Sequence, residues 1–239
     1  MKILAIDTSA NVATAAVLED ERLICEYVVN NKKTHSQTIM VIIDTILKQA
    51  ELDISDIDVL AVANGPGSFT GLRIGISVAK GLFFGNGKKI IGISTLEALG
   101  YNLPYCKNII CPIMDARRSQ VYNAVYKWEE ETLKEIKKPR AISIDEVLDE
   151  FLESDEKIVF LGDGVSPNLE KIKETLGERA IFAPASCNLQ KASTLGVIAK
   201  KRYEEKKAVK SHELRPVYLR KSQAEREMEE KLKTQRLEN

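Results

Sequence analysis

With 239 residues, 44% of them hydrophobic, the chain is long enough for one large or two small domains around a sizeable core. Lysine plus arginine and aspartate plus glutamate number 35 each, so no overall charge excess draws it to nucleic acid or a membrane surface, and any RNA contact needs a local patch. No apolar run approaches a membrane span, the opening Met1–Asp7 lacks the h-region of a signal peptide, and Cys25, Cys106, Cys111 and Cys187 have no Cys-x-x-Cys spacing, so a cytoplasmic protein with reduced cysteines is expected.

Three strand-like runs open the chain, Lys2 to Asp7, Val12 to Leu18 and Leu23 to Val29, joined by links short enough to make antiparallel neighbours. From Ser36 to Ala50 the apolar residues Ile39, Met40, Ile43, Ile46 and Leu47 recur at helical spacing. Asp58 to Ala63 reads as a buried strand, a glycine-rich turn and helix follow, and Lys89 to Ile93 is another strand before a link through Thr95–Leu99. A second pass then repeats the order. Ile109–Asp115, Gln120–Trp128 and Thr132–Lys137 are strand-like, Ile144–Leu152 is helix-like, and Ile158–Leu161 is a buried strand. Ser166 is placed to cap a helix with Pro167 at its first position and Gly177 at its stop, and Ala180–Phe182 is a short strand. Pro139 and its neighbouring lysines read as a loop. A helix from Ser193 to about Lys206 and an extended Leu214–Arg220 complete the core, and the charged stretch 221–239 reads as a solvated tail helix. Two halves sharing one order of elements predict a duplicated α/β unit, with lobes at 1–102 and 103–220 and the 193–206 helix placed to pack back on the first lobe.

The run Asn64-Gly65-Pro66-Gly67-Ser68-Phe69-Thr70-Gly71-Leu72-Arg73-Ile74-Gly75 places turn residues between the buried strand and a helix that Ser68 or Thr70 can cap. Gly67, Gly71 and Gly75, followed by Ala79, align on one helical face with almost no side-chain volume. Each interior glycine costs about 1 kcal/mol against alanine, so something must pack closely there, either the chain's own sheet or a partner helix. A P-loop is excluded, because Gly71 is followed by Leu72 and Arg73 rather than by lysine and a hydroxyl residue.

Asp7 and Asp115 each end the first strand of a half, and pseudo-symmetry would bring them to one cleft of the kind that holds nucleotide phosphates, although aspartate is also an ordinary turn residue there. The second turn, Asp115-Ala116-Arg117-Arg118-Ser119-Gln120, lacks the glycines of a phosphate loop, and its arginines suit an anion or fill the cleft equally. Gly162-Asp163-Gly164 resembles a nucleoside-facing loop in position and is also a turn signal. His35 and His212 are the two histidines, with no His-Glu-x-x-His helix and no nucleophile elbow, which excludes the familiar zinc-protease and triad designs and leaves His35 to cap or pack at a helix start.

With Ile6-Asp7-Thr8-Ser9, Thr34-His35-Ser36, the Gly65–Gly75 run and Asp115-Ala116-Arg117 in this order, the chain resembles the bacterial TsaB (YeaZ-like) family nearly throughout, to about Arg220. The resemblance implies an actin/Hsp70/sugar-kinase-like (ribonuclease H-like) ATPase fold with two mixed-sheet lobes. It further implies a noncatalytic partner subunit in tRNA threonylcarbamoyladenosine synthesis, bound to the catalytic paralogue TsaD and joined by the ATPase TsaE, with a homodimer forming when TsaD is absent. No metal site and no catalytic residue are implied. Asp7, Thr8, Ser9 and Asp115 would line a vestigial nucleotide cleft, no cofactor is expected on the chain alone, and ATP or ADP would sit at the complex interface. The partner interface implied is the first two helices, with Ile39, Ile43, Leu47, Phe69, Gly71, Leu72, Gly75, Ile76, Ala79 and Phe83; tRNA would be met through the complex. The chain departs from the common family pattern at Arg118-Ser119-Gln120, where Met or Lys and then an acidic residue are more usual. The alternatives are an ATP-dependent phosphotransferase using Asp7 and Asp115, and a glycoprotease, which the missing histidine metal site argues against.

Overall fold

The computed structural model describes residues 1–31 and 34–220; the charged tail lies outside them. The first lobe opens with β1 (Lys2–Asp7), β2 (Ala13–Glu19) and β3 (Arg22–Val29), then α1 (His35–Gln49), β4 (Val59–Gly65), α2 (Phe69–Leu82), β5 (Lys89–Ser94) and α3 (Thr95–Gly100). The second repeats the pattern with β6 (Ile109–Asp115), β7 (Gln120–Glu129), β8 (Thr132–Ser143), α4 (Ile144–Asp149), β9 (Ile158–Leu161), α5 (Val165–Leu176), β10 (Ala180–Phe182) and α6 (Ala192–Glu204), before the two-residue β11 (Val209–Lys210). Strand order is β11-β5-β4-β1-β2-β3 in one sheet and β10-β9-β6-β7-β8 in the other. In both lobes the first strand pairs antiparallel with the second and parallel with the fourth. This duplicated mixed-sheet plan is the actin/Hsp70/sugar-kinase architecture.

Strand alternation divides the first lobe's core in two. Leu4, Ile6, Ala15 and Val17 face α1 and α2, which contribute Ile39, Ile43, Ile46, Ile76, Ala79 and Phe83. Ile3, Ala5, Ala16 and Leu18 face the other way, onto Ala192, Leu195, Ile198 and Ala199 of α6. The last helix of each repeat therefore crosses over: α6 completes the first lobe, while Leu96 and Leu99 of α3 pack with Ile110, Met114, Ala124 and Tyr126 of the second. The link expected at Thr95–Leu99 is thus a short helix, capped by Ser94, whose hydroxyl accepts from the amide of Glu97.

Two local expectations fail for physical reasons. Pro139 lies within β8 rather than in a loop; β8 is the edge of its sheet, and the pairing slips between Asn123–Arg140 and Val125–Lys137, so the missing amide is not needed. Gly164, not Ser166, is the N-cap of α5. No helix among the described residues is long and apolar enough to cross a membrane.

Candidate functional site

The first turn of each lobe faces the space between the lobes. After β1, the amide of Ser9 donates to Asp7 Oδ1 at 2.7 Å, and Thr8 Oγ1 donates to the carbonyl of Gly71 at 2.8 Å. The amide of Ser68 reaches the carbonyl of Ser9 at 2.7 Å, while the Ser68 hydroxyl accepts from the amide of Gly71 and caps α2. A Cβ on Gly71 would lie 2.0 Å from the Thr8 carbonyl oxygen, and one on Gly75 2.5 Å from Thr8 Oγ1. The glycine face of α2 is therefore what lets the helix lie directly on this turn. His35, the first residue of α1, adds a bond of 2.6 Å from Nε2 to the Ala10 carbonyl, which requires the proton on Nε2.

The consequence is that Asp7, Thr8 and Ser9 are at most 2% exposed. Asp7 Oδ2 and Ser9 Oγ find no hydrogen-bond partner. Burial pushes the Asp7 carboxyl up to about 6, the hydrogen bond from the Ser9 amide opposes this, and the charge of Asp163 adds to it. Asp163, in the turn after β9, accepts from the amide of Asp115 at 3.2 Å, and burial, reinforced by Asp115, pushes its carboxyl to about 6 as well. Three aspartates thus converge from both lobes. Among the described residues no group of three such side chains is arranged to hold a metal ion. The first turn also does not fit nucleotide phosphates, because its hydroxyls and amides are buried under α2.

The second turn is the opposite. Asp115 is exposed, its Oδ1 accepts from the amide of Arg117 at 2.7 Å, and Arg117, Arg118 and Ser119 are all left-handed, with φ of 61°, 55° and 58°. Each such non-glycine residue costs about 1 kcal/mol. The turn is closed by Ala116 N to Gln120 O and Gln120 N to Arg117 O, and is tethered from the C-terminal strap, where Arg220 Nη1 donates to the carbonyls of Ala116 and Arg117. The strap itself is tied to β4 by Val217 N to Asn64 O at 2.7 Å, and to α2 by stacking of Tyr218 on Phe69, with ring centroids 4.6 Å apart. Arg73 closes this cluster, its guanidinium 3.9 Å above the Phe69 ring and its Nε donating to Tyr218 Oη.

Beside that cluster, α1 and α2 leave a groove of about 570 Å3 lined by Ser36, Phe69, Arg73, Ile74, Ser77 and Val78, with the buried Ile39 at its floor. Met40 and Val41 stand exposed on α1, 46% and 63% respectively.

The family model for TsaD, tRNA N6-adenosine threonylcarbamoyltransferase, matches residues 23–228. The chain is 34% identical to the tRNA threonylcarbamoyladenosine biosynthesis protein TsaB of Bacillus subtilis, over 94% of this chain and 96% of that protein, and 31% identical to the TsaB of Escherichia coli, over 92% and 95%. The chain belongs to the TsaB family of tRNA threonylcarbamoyladenosine biosynthesis proteins. A Pseudomonas aeruginosa structure described as similar to peptidase YeaZ shares the fold, with a TM-score of 0.78 and 24% identity over 92% of this chain and 99% of that one.

In this TsaB-family chain the residues expected at the partner interface differ in their surroundings. Ile43, Leu72, Ile76, Ala79 and Phe83 are at most 5% exposed and pack on the chain's own sheet; Leu47 packs against the same core. Gly71 and Gly75 face Thr8. Of the expected set, Phe69 lines the open groove and Ile39 floors it. Ile74, Ser77 and Val78 line the groove as well, and Met40, which the periodicity did single out, stands exposed on α1. Asp163 was legible as a turn residue and as part of a loop in a nucleoside-facing position, and Tyr218 only as part of an extended segment.

Proposed function

We propose that the chain is a noncatalytic partner subunit in threonylcarbamoyl transfer to tRNA, docking the catalytic paralogue TsaD along the groove between α1 and α2. The observation that carries this reading is the groove itself: an apolar channel between two helices, flanked by the exposed Met40 and Val41, on a helix pair whose other face is already committed to the core. Two further helices laid along it would bury these side chains in a four-helix contact. The same face serves a second copy of the chain when TsaD is absent, the ATPase TsaE joins the assembled pair, tRNA is modified in the complex, and any ATP or ADP is met there rather than on the chain alone.

The burial of Asp7, Thr8 and Ser9 under α2 supports the absence of independent phosphotransfer, since a catalytic carboxylate and phosphate-binding hydroxyls must reach their substrate. Calorimetry with Mg-ATP tests that alternative, and tight binding by the isolated chain would revive it.

Ser77→Arg tests the docking reading, because Ser77 is exposed, lines the groove and makes no part of the core. Light scattering should show wild type combining with TsaD of the same organism and the variant failing to do so, with tRNA modification falling to background in cells and the thermal midpoint unchanged. A variant that combines with TsaD as wild type does would sink the proposed surface.

A further inference from the structure

The second turn and the strap behind it form a surface that the docking reading does not use. Arg117 and Arg118 are exposed, and among the described residues neither guanidinium has a side-chain or backbone partner. This is unusual for the chain: Arg22, Arg140 and Arg202 each pair with a glutamate. The acid nearest in sequence, Asp115, already uses Oδ1 to hold the Arg117 amide. The backbone of the turn is held in its left-handed conformation by that carboxylate from within and by Arg220 from the strap, and both arginines stay exposed on it. Strain retained at an exposed, charge-bearing turn points to use of the charges.

Two residues before Arg220 the strap presents Tyr218. One face of its ring rests on Phe69, its hydroxyl accepts from Arg73, and the residue is still 38% exposed. A fixed aromatic ring on the strap whose Arg220 holds the arginine turn offers what single-stranded RNA needs: cations for its phosphates and a platform for an unstacked base. An acidic peptide would be served by the arginines and would have no use for the ring.

We propose that Arg117, Arg118 and Tyr218 form an RNA-binding surface of this chain, with the arginines on phosphates and Tyr218 under a base, while Arg73 and Arg220 position the ring and the turn. The choice of RNA rests on the reading of the chain as a subunit in tRNA modification; the surface itself is separate from the α1/α2 groove floor. It supplies the local patch that an overall neutral chain requires.

The test is fluorescence anisotropy of a labelled anticodon stem-loop RNA with the full chain at several salt concentrations. A double variant, Arg117→Gly with Arg118→Gly, should weaken binding about tenfold and flatten the dependence of log K on log salt by about one unit for each arginine lost. Because glycine accepts the left-handed backbone, the same variant should melt at a higher temperature than wild type, which separates loss of binding from loss of fold. Tyr218→Ala should weaken binding about tenfold with the salt slope unchanged. Unchanged RNA affinity in the double variant overturns the proposal, and so does a poly-glutamate peptide that binds wild type more tightly than the RNA. Light scattering with TsaD is run on the same double variant: retained association alongside unaltered RNA binding sinks this surface alone, whereas wild type that ignores TsaD sinks the docking reading.

Discussion

The turns after β1 and after β6 occupy equivalent places in a duplicated unit, yet one is sealed and the other is open. Thr8 and Ser9 are buried beneath a helix whose glycines admit them, whereas Arg117, Arg118 and Ser119 stand exposed in a strained conformation held by Asp115 and Arg220. The difference lies in the helix that follows each lobe's fourth strand. α2 advances over its turn through Gly67, Gly71 and Gly75, and turns the loop's polar groups inward. Duplication thus preserved the scaffold while giving the two ends of the cleft different physical work: internal packing in the first lobe and display of charge in the second.

The sharpest way to break the comparison is to refill the glycine face. Gly71→Ala places a methyl group 2.0 Å from the Thr8 carbonyl, which neither backbone can yield, and should cost about 3 kcal/mol. Gly81, in the same helix, has nothing within 4 Å of its added Cβ and is exposed, so Gly81→Ala should instead gain about 0.5 kcal/mol. Urea unfolding of the pair decides the matter. Equal effects would mean that α2 does not lie on the first turn.

This contrast also marks what sequence can convey. Spacing identified α2 as a helix with a small-residue face, because periodicity follows from backbone geometry alone. It could not say what that face meets, since a carbonyl oxygen at Thr8 contributes no side-chain pattern. The same limit hid which face of α1 the chain's own sheet covers. α1 carries Ile39, Ile42, Ile43 and Ile46 on one side and Met40 and Val41 on the other, so an apolar helix offered two faces and the sheet took the more strongly apolar one. The order of elements along the chain and its repeat were legible because alternating and continuous apolar runs recur in the same sequence in both halves. Pro139 was misread because proline ends central strands and only tertiary context reveals an edge. Asp163 joins Asp7 and Asp115 through folding of the second lobe, a relation with no local signature.

A second, smaller effect should appear in the pH dependence of stability. The folded Asp7 and Asp163 carboxyls titrate near 6, above the usual 3.8, so the native state binds protons more tightly than the unfolded chain. The stabilisation this linkage gives is fully present below about pH 4 and is lost as pH rises through about 6. Asp7→Asn should flatten that fall, leaving the variant more stable than wild type at pH 7 by at most about 3 kcal/mol, the shift multiplied by 1.36 kcal/mol per unit, before the weakened bond from the Ser9 amide is deducted. Denaturant midpoints at pH 4.5 and 7 supply the measurement. A profile that falls as steeply in the variant as in wild type would assign the effect to Asp163, and Asp163→Asn would then flatten it.

The smallest change sharpens the second half of the comparison. Ser119 has φ of 58° and is exposed, and its side chain makes no hydrogen bond among the described residues. Its left-handed backbone is imposed by the closure of the turn and by Arg220, not by anything the hydroxyl does. Ser119→Gly should therefore gain about 1 kcal/mol, because glycine enters this region without the steric cost that a Cβ brings, partly offset by the greater freedom of glycine in the unfolded chain. In the equivalent first turn no residue from Thr8 to Asn11 is left-handed, so there is no such strain to relieve. A gain at Ser119 measured by thermal unfolding would place the stored strain in the open turn; a loss would mean that the turn relaxes in solution and that the two ends of the cleft differ less than their backbone angles imply.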